Sequence, residues 1–224
     1  MKTKLSFVFG LSFTLMCLLG SVRIWALNEH FYIQKYQQMD LAGSLRVESK
    51  DLERCITVLM DYLNDSRDDI HVEITQNGLK REAFDQRETI HMVDVKALYQ
   101  NAMKVLATSI ILTIASGIYL FRQPGGTLDL ARGILLAGVC FLFFITWIGI
   151  WIATDFTDFW TRFHLLFFDN DYWLLTPGVD FMIDMLPEQV FEALVIRIVV
   201  TLTALLGTAN ILALFTLKRR KALL

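Results

Sequence analysis

The chain has 224 residues, of which 54% are hydrophobic and 20% charged, with a net charge of -2 and a mean hydropathy of +0.46. Those averages differ only mildly from a soluble domain's, but the apolar residues are gathered into runs that exclude a soluble enzyme, a disordered chain or a disulfide scaffold. The near-neutral charge provides no basic field for nucleic acid, and Cys17, Cys55 and Cys140 form no CxxC pair.

About 20 apolar residues cross a hydrocarbon core as a helix, and four stretches qualify. The first is Leu5–Leu27. Lys2 and Lys4 precede it as they would in a signal peptide, but the run is too long for one and has no A-x-A cleavage pattern. A retained helix is expected. The segment 28–97 follows, and Asn28–Lys104 holds 14 acids and 10 bases, a water-facing balance. Within it Ser49 reads as an N-cap, and Leu52, Ile56, Leu59 and Leu63 recur at helical spacing. His71–Thr75 alternates, Asn77-Gly78 signals a hairpin, and a second strand is expected from Leu79 towards Phe84. Asp94 is expected to cap the helix that enters the second span, 98–121, whose apolar part is Val105–Phe121.

A short loop, 122–132, leads to the third span, Gly133–Ala153. Gly125-Gly126 reads as a turn there rather than a phosphate loop, and Gly133 with Ala137 has a spacing that permits close helix contact. The segment 154–194 is rich in aromatics. Phe156, Phe159, Trp160, Phe163, Phe167 and Phe168 fall at helix-compatible spacing, which fits an interfacial belt or an amphipathic helix in the membrane plane. Asp169–Asp171 and Thr176–Gly178 read as turns. Pro187 stands where a last helix would begin, the fourth span is Val195–Leu217, and 218–224 is a basic tail. The fold class expected is an α-helical membrane protein, with four transmembrane helices, a small extracytoplasmic α+β domain and an interfacial aromatic helix.

Lys and Arg in short loops set orientation. The N-terminus carries Lys2 and Lys4, the loop 122–132 two arginines, and the tail four basic residues, whereas 154–194 has eight acids and only Arg162 as a base. Both termini are therefore expected on the cytoplasmic side, with 28–97 and 154–194 outside.

All four histidines, His30, His71, His91 and His164, fall in those outer segments. Imidazole titrates near neutral pH and serves as acid or base. His30 and His71 read as an interfacial and an exposed strand residue. His91 precedes a membrane-entering helix and His164 lies in the aromatic segment, so both are expected near headgroup depth. Asp94 and Asp169 are candidate orienters of imidazole. Arg23 and Arg197 are candidate polar contacts near span ends. No HExxH or paired HxxxH occurs, so no metal site is expected. No GxSxG occurs, and Cys55 reads as a core residue rather than a nucleophile.

These residues resemble a family. Four spans with a small domain after the first, His91-Met92-x-Asp94-Val95-Lys96 before the second, and Phe163-His164 followed by Asn170-Asp171-x-Trp173 and Pro177-x-x-Asp180 resemble the lipoprotein intramolecular transacylases, an integral membrane family of Gram-positive bacteria. The resemblance implies an acyltransferase acting on lipoproteins whose N-terminal cysteine carries a diacylglyceryl thioether and a free α-amine. It implies transfer of the sn-2 acyl chain to that amine, giving the lyso-form. It further implies two essential histidines, at His91 and His164, and location in the bacterial cell membrane. Phe159, Trp160, Phe163 and Trp173 are candidates to line the acyl groove. The substrate brings both nucleophile and acyl donor, and an amide is more stable than an ester, so no cofactor is expected. The expected partners are diacylglyceryl lipoproteins and membrane lipids, with no nucleic acid and no stable protein partner. The competing class is non-catalytic, an extracytoplasmic sensor or an assembly partner for envelope proteins.

Overall fold

The structure is a computed structural model and describes residues 2–221. Of the basic tail expected at 218–224, residues 222–224 lie outside the described residues. Eleven elements follow in chain order: helices α1 (Lys2–Ala26), α2 (Glu29–Gln38), α3 (Leu41–Leu45) and α4 (Ser49–Leu63), strands β1 (Glu73–Gln76) and β2 (Leu79–Glu82), then helices α5 (Gln86–Phe121), α6 (Gly126–Thr154), α7 (Phe156–Phe167), α8 (Phe181–Met185) and α9 (Glu188–Lys221). The helices α1, α5, α6 and α9 are long and apolar enough to cross a membrane. The protein is an α-helical membrane protein with a small α+β region.

The chain divides into two units. The first takes the residues up to Arg23, Ala102–Thr154 and those from Ile196 on. It is a bundle of the apolar lengths of the four long helices. Lipid tails offer no hydrophobic reward for helix association, so close packing of small residues carries much of it. A Cβ placed on Gly10 of α1 would run into the backbone carbonyl of Gly133 on α6, and one on Gly133 into that of Ser6. Gly133 and Ala137 thus make their close contact inside the bundle. Gly138 leaves room for the buried Asn210 side chain of α9, whose amide donates to the Leu206 carbonyl at 2.8 Å. The hydroxyls of Ser6, Ser12, Thr14 and Ser21 bond carbonyls one turn back, and Thr113 reaches Ser12 at 3.0 Å from α5. Each buried hydroxyl is thereby satisfied without water. Cys17, Ile145, Leu202 and Leu206 form an apolar centre, with Phe13 and Phe141 against it.

The second unit takes Ile24–Asn101 and Asp155–Val195. Its core includes Phe31, Leu52, Cys55, Ile56, Leu59 and Ile74. The amphipathic spacing of α4 puts Leu52, Ile56 and Leu59 on its buried face. Glu48, not Ser49, is the cap residue of α4, and its side chain makes no capping bond. Asp51, one turn in, is taken up instead by the Thr75 amide at 2.6 Å and by Arg54. The hairpin forms as expected: β1 and β2 pair antiparallel, Gln76 opposite Leu79, and the turn residues Asn77 and Gly78 both have positive φ. That is the backbone a two-residue hairpin loop needs, and asparagine and glycine tolerate it. Cys55 is fully buried and burial pushes its thiol up to about 12, so it is packing rather than a nucleophile.

Asp94 does not cap a helix. The helix begins two turns earlier, at Gln86, where Asp85 and Glu88 form a capping box. The Asp85 carboxylate accepts from the Glu88 amide at 2.9 Å, and Glu88 accepts from the Asp85 amide at 2.6 Å. Glu88 also accepts from the Met182 amide of α8 at 2.5 Å, and is only 1% exposed. Burial raises its pKa, and the two amide bonds work against that rise. Glu88→Ala would strand the buried Met182 N–H at about 1–3 kcal/mol and leave the half-buried Asp85 N–H without its capping bond. The expected result is a fall of about 2–4 kcal/mol in unfolding stability, read by denaturant titration in detergent. A loss under about 0.5 kcal/mol would show that water replaces the carboxylate.

Candidate active site

Two elements of the second unit carry the site. One is the first two turns of α5, and the other is α7 with the turn that follows it. On α5, Arg87, His91 and Asp94 recur at i, i+4 and i+7, one face of a helix. On α7 the Asp155 side chain caps the first turn by accepting from the Asp158 amide at 2.9 Å. Phe156 and His164 are buried, whereas Leu165, Leu166 and Phe167 are exposed.

The structure brings His91 and His164 together. Their ring centroids are 6.0 Å apart, and the residues are 8% and 7% exposed. Aromatic rings surround them. Phe168 meets His91 edge-on at 5.4 Å, and Trp173 stacks on His164 at 4.8 Å. Trp160 meets His164 edge-on at 4.9 Å, and Phe163 does so at 5.6 Å. Trp160 itself is sandwiched among Phe156, Phe163 and Phe191.

The His164 Nδ1 lies 2.7 Å from the Trp160 carbonyl. A carbonyl only accepts, so Nδ1 carries the proton and the neutral ring presents its lone pair at Nε2. Burial lowers the His164 pKa, against an upward pull from that same bond. His91 is pushed down to about 4, first by burial and then by the neighbouring His164 imidazole, with Asp94 pulling the other way. Both rings are therefore neutral at neutral pH. The His91 Nδ1 is buried and has no hydrogen-bond partner within the protein.

Asp94 accepts from the Asn170 side chain at 2.8 Å. Asp169 is exposed and bonds neither imidazole. Phe159 packs on Phe156 at 5.9 Å. Arg23 and Arg197 belong to the helix-bundle unit, where Arg23 reaches the Met103 sulfur at 3.6 Å. His30 is exposed beside Gln34 at 2.9 Å, and His71 is exposed and faces Glu82 at 3.4 Å, but it lies two residues before β1 rather than in a strand. A cavity of about 230 Å³ elsewhere in the unit is lined by Ile33, Tyr36, Asp40, Leu52 and Glu53 among others, with no residue from α5 or α7. No group of three or more His, Cys, Asp or Glu gathers as a metal set among the described residues.

Sequence reasoning gives Asn170 only as a turn and motif residue, and it misses Glu88. Asn170 is a hub. Its amide reaches Asp94, its side-chain oxygen accepts from the Tyr172 amide at 3.1 Å, and its carbonyl accepts from the Trp173 indole at 2.9 Å. The route from Asp94 through Asn170 to Trp173 fixes the ring that covers His164. The spacing Asn170-x-x-Trp173 was the available signal. Glu88 looked like any other acid in a charged segment, because its burial depends on Met182.

The model of the lipoprotein intramolecular transacylase Lit family matches residues 7–191. The chain belongs to this family. It is an acyltransferase, and its family's work is intramolecular acyl transfer. Solved structures of the transacylase Lit from Bacillus cereus share its fold. One has a TM-score of 0.80 at 21% identity, covering 99% of this chain and 98% of that one. Two others, with a histidine replaced by arginine or by alanine, each have a TM-score of 0.74 at 21% identity. They cover 100% and 99% of this chain, and 95% and 96% of theirs. None of the curated proteins matches the chain in sequence.

Proposed function

We propose that this transacylase moves the sn-2 acyl chain of a diacylglyceryl-cysteine lipoprotein to the free α-amine of the same cysteine, with His91 and His164 as its proton carriers. The observation that carries the reading is the pair of neutral, buried imidazoles 6.0 Å apart in an aromatic enclosure. The substrate holds acceptor and donor on one residue, so the enzyme's task is to fold them into attack geometry and to move one proton. Trp160, Phe163 and Trp173 bound the space in which lipid and glyceryl are held. Positioning of this kind contributes on the order of several kcal/mol.

The amine attacks the ester carbonyl and becomes acidic as the C–N bond forms. A neutral imidazole then takes the N–H proton, and the departing glyceryl oxygen receives one in turn. His164 suits the first role because its tautomer leaves Nε2 unprotonated. Two buried rings this close do not both charge readily, so one proton cycles through the pair. The reaction is set on the extracytoplasmic face of the bacterial cell membrane, with both termini cytoplasmic. The excess of basic residues in the short segments around 1–4, 122–132 and 218–221 supports that orientation. The exposed Leu165, Leu166 and Phe167 suit α7 to an interfacial position. Diacylglyceryl lipoproteins and surrounding lipids are the partners.

The test is to express the chain in a bacterium whose lipoproteins keep a diacylglyceryl group and a free amine. Transfer leaves the mass unchanged, so tandem mass spectrometry must place one acyl chain on the amine. Only the unrearranged lipopeptide, from a well-expressed protein, would sink the proposal.

The lowered histidine pKa values also fix a pH profile. Burial pushes His91 down to about 4 and lowers His164 as well, so the free enzyme holds its working, neutral form at neutral pH. The substrate amine, with a pKa of about 8, is then the only group titrating. The logarithm of kcat/KM is expected to rise with slope one from about pH 5 to 7.5 and to level above about 8. A slope of two below about pH 6.5 would mean an ordinary histidine in the free enzyme, and would overturn the neutral-pair scheme.

A further inference from the structure

Arg87 shares its helix face with His91, one turn towards the start of α5. Its terminal nitrogen donates to the Asp171 carbonyl and stands 4.0 Å from the Asp171 carboxylate. The guanidinium carbon lies 5.8 Å from the centre of the Tyr172 ring. The Arg87 Nε–H, by contrast, is buried and meets no acceptor in the protein. His91 Nδ1 is in the same condition. Two of the four such side-chain atoms among the described residues therefore sit one helical turn apart, at the candidate site.

A buried donor on a cation is costly to leave unmatched, and a catalytic role is one of the few reasons for the cost to persist. The two imidazoles are neutral, so Arg87 is the fixed positive charge of this helix face. Acyl transfer creates negative charge at one atom, the carbonyl oxygen of the ester. Donors aimed at such an oxygen in a dry site are among the strongest contributions to rate.

We propose that Arg87 is the oxyanion partner of the transfer, its Nε–H receiving the sn-2 ester oxygen as that oxygen becomes negative. The inference rests on the transacylase reading above. The amine lone pair forms the C–N bond while the carbonyl π pair moves onto oxygen, beside Arg87. A histidine accepts the N–H proton. The oxyanion then re-forms the C=O bond, the C–O bond to glyceryl breaks, and the glyceryl oxygen takes the proton. Arg87 keeps its own proton throughout, as a guanidinium does. Asp171 and Tyr172 hold the side chain in place without touching the reacting atoms.

The experiment compares Arg87→Gln, Arg87→Lys and His30→Ala in detergent with a synthetic diacylglyceryl lipopeptide. Arg87→Gln is expected to lose about 10²–10³-fold in kcat with KM within about threefold. Arg87→Lys should recover at least about tenfold of that loss, because the charge returns without the fork. His30→Ala changes an exposed ring outside the site and should stay within about threefold of the parent.

A second readout does not use turnover. A lipopeptide with a phosphonate in place of the sn-2 ester carbonyl mimics the charged tetrahedral state, and an ether analogue lacks it. The parent should prefer the phosphonate by about 100-fold, and Arg87→Gln should lose that preference. A variant that has lost its fold loses ether binding too, and the Arg87→Lys ratio then decides. Arg87→Gln turning over like His30→Ala, or keeping the phosphonate preference, overturns the role of Arg87 alone. No N-acyl product from the parent overturns the transacylase reading and this inference with it.

Discussion

Replacing His164 with asparagine is expected to lower transfer by about 10³-fold or more while the protein still inserts and unfolds near the parent's midpoint. The asparagine amide can donate to the Trp160 carbonyl much as Nδ1–H does, but it offers no base. The variant therefore separates the bond that orients the ring from the proton chemistry. His91→Ala should be as damaging to transfer, and should also leave a gap beside Phe168. On the proposed scheme the pair moves a single proton, so the double variant should be no slower than the slower single one. Full losses that add would mean two independent roles. A His164→Asn variant retaining more than about a tenth of the parent rate would remove this ring from the proton path.

The second large effect belongs to the bundle. Gly133→Val is expected to destabilise the fold by about 3 kcal/mol or more, seen as loss of the folded species on extraction into detergent. The added Cβ would meet the Ser6 carbonyl of α1, and backbone cannot swing aside as a flexible side chain does. The α1 and α6 helices would have to separate along the whole seam that includes Gly10 and Ala137. Gly20→Ala and Gly149→Ala are the matched controls. A Cβ at either position meets nothing within 4 Å, so each should be neutral or slightly stabilising through better helix propensity. If Gly133→Val survives as well as those controls, the seam is softer than its geometry implies.

Much of the fold was legible because the bilayer enforces it. Spans are read from apolar length, and the hairpin from two residues whose backbone needs are unusual. The start of α5 was misplaced for a reason. Asp94 stands just before the second span as a plausible cap, whereas the capping box Asp85-x-x-Glu88 sets the true start. The two histidines could be named one by one, but 73 positions separate them, and no local pattern shows that α7 delivers one to the other. The resemblance supplied that pairing before the coordinates did. The roles of Asn170 and Glu88 were not legible, because what matters about each is a partner far along the chain, Asp94 in one case and Met182 in the other.

The aromatic enclosure has a consequence for what the enzyme releases. An activated ester has two possible acceptors, the tethered amine and water, and only the first gives a lyso-form lipoprotein. Attack by water would yield a free fatty acid and a permanently shortened lipid anchor. With Phe168 and Trp173 covering the two imidazoles, a water molecule has little polar surface to hold it beside the base. On the proposed mechanism, the enclosure that buries the histidines would therefore also govern product fidelity. Thinning them, as in Trp173→Ala, would show itself as fatty acid leaking from the reaction before any loss of overall turnover.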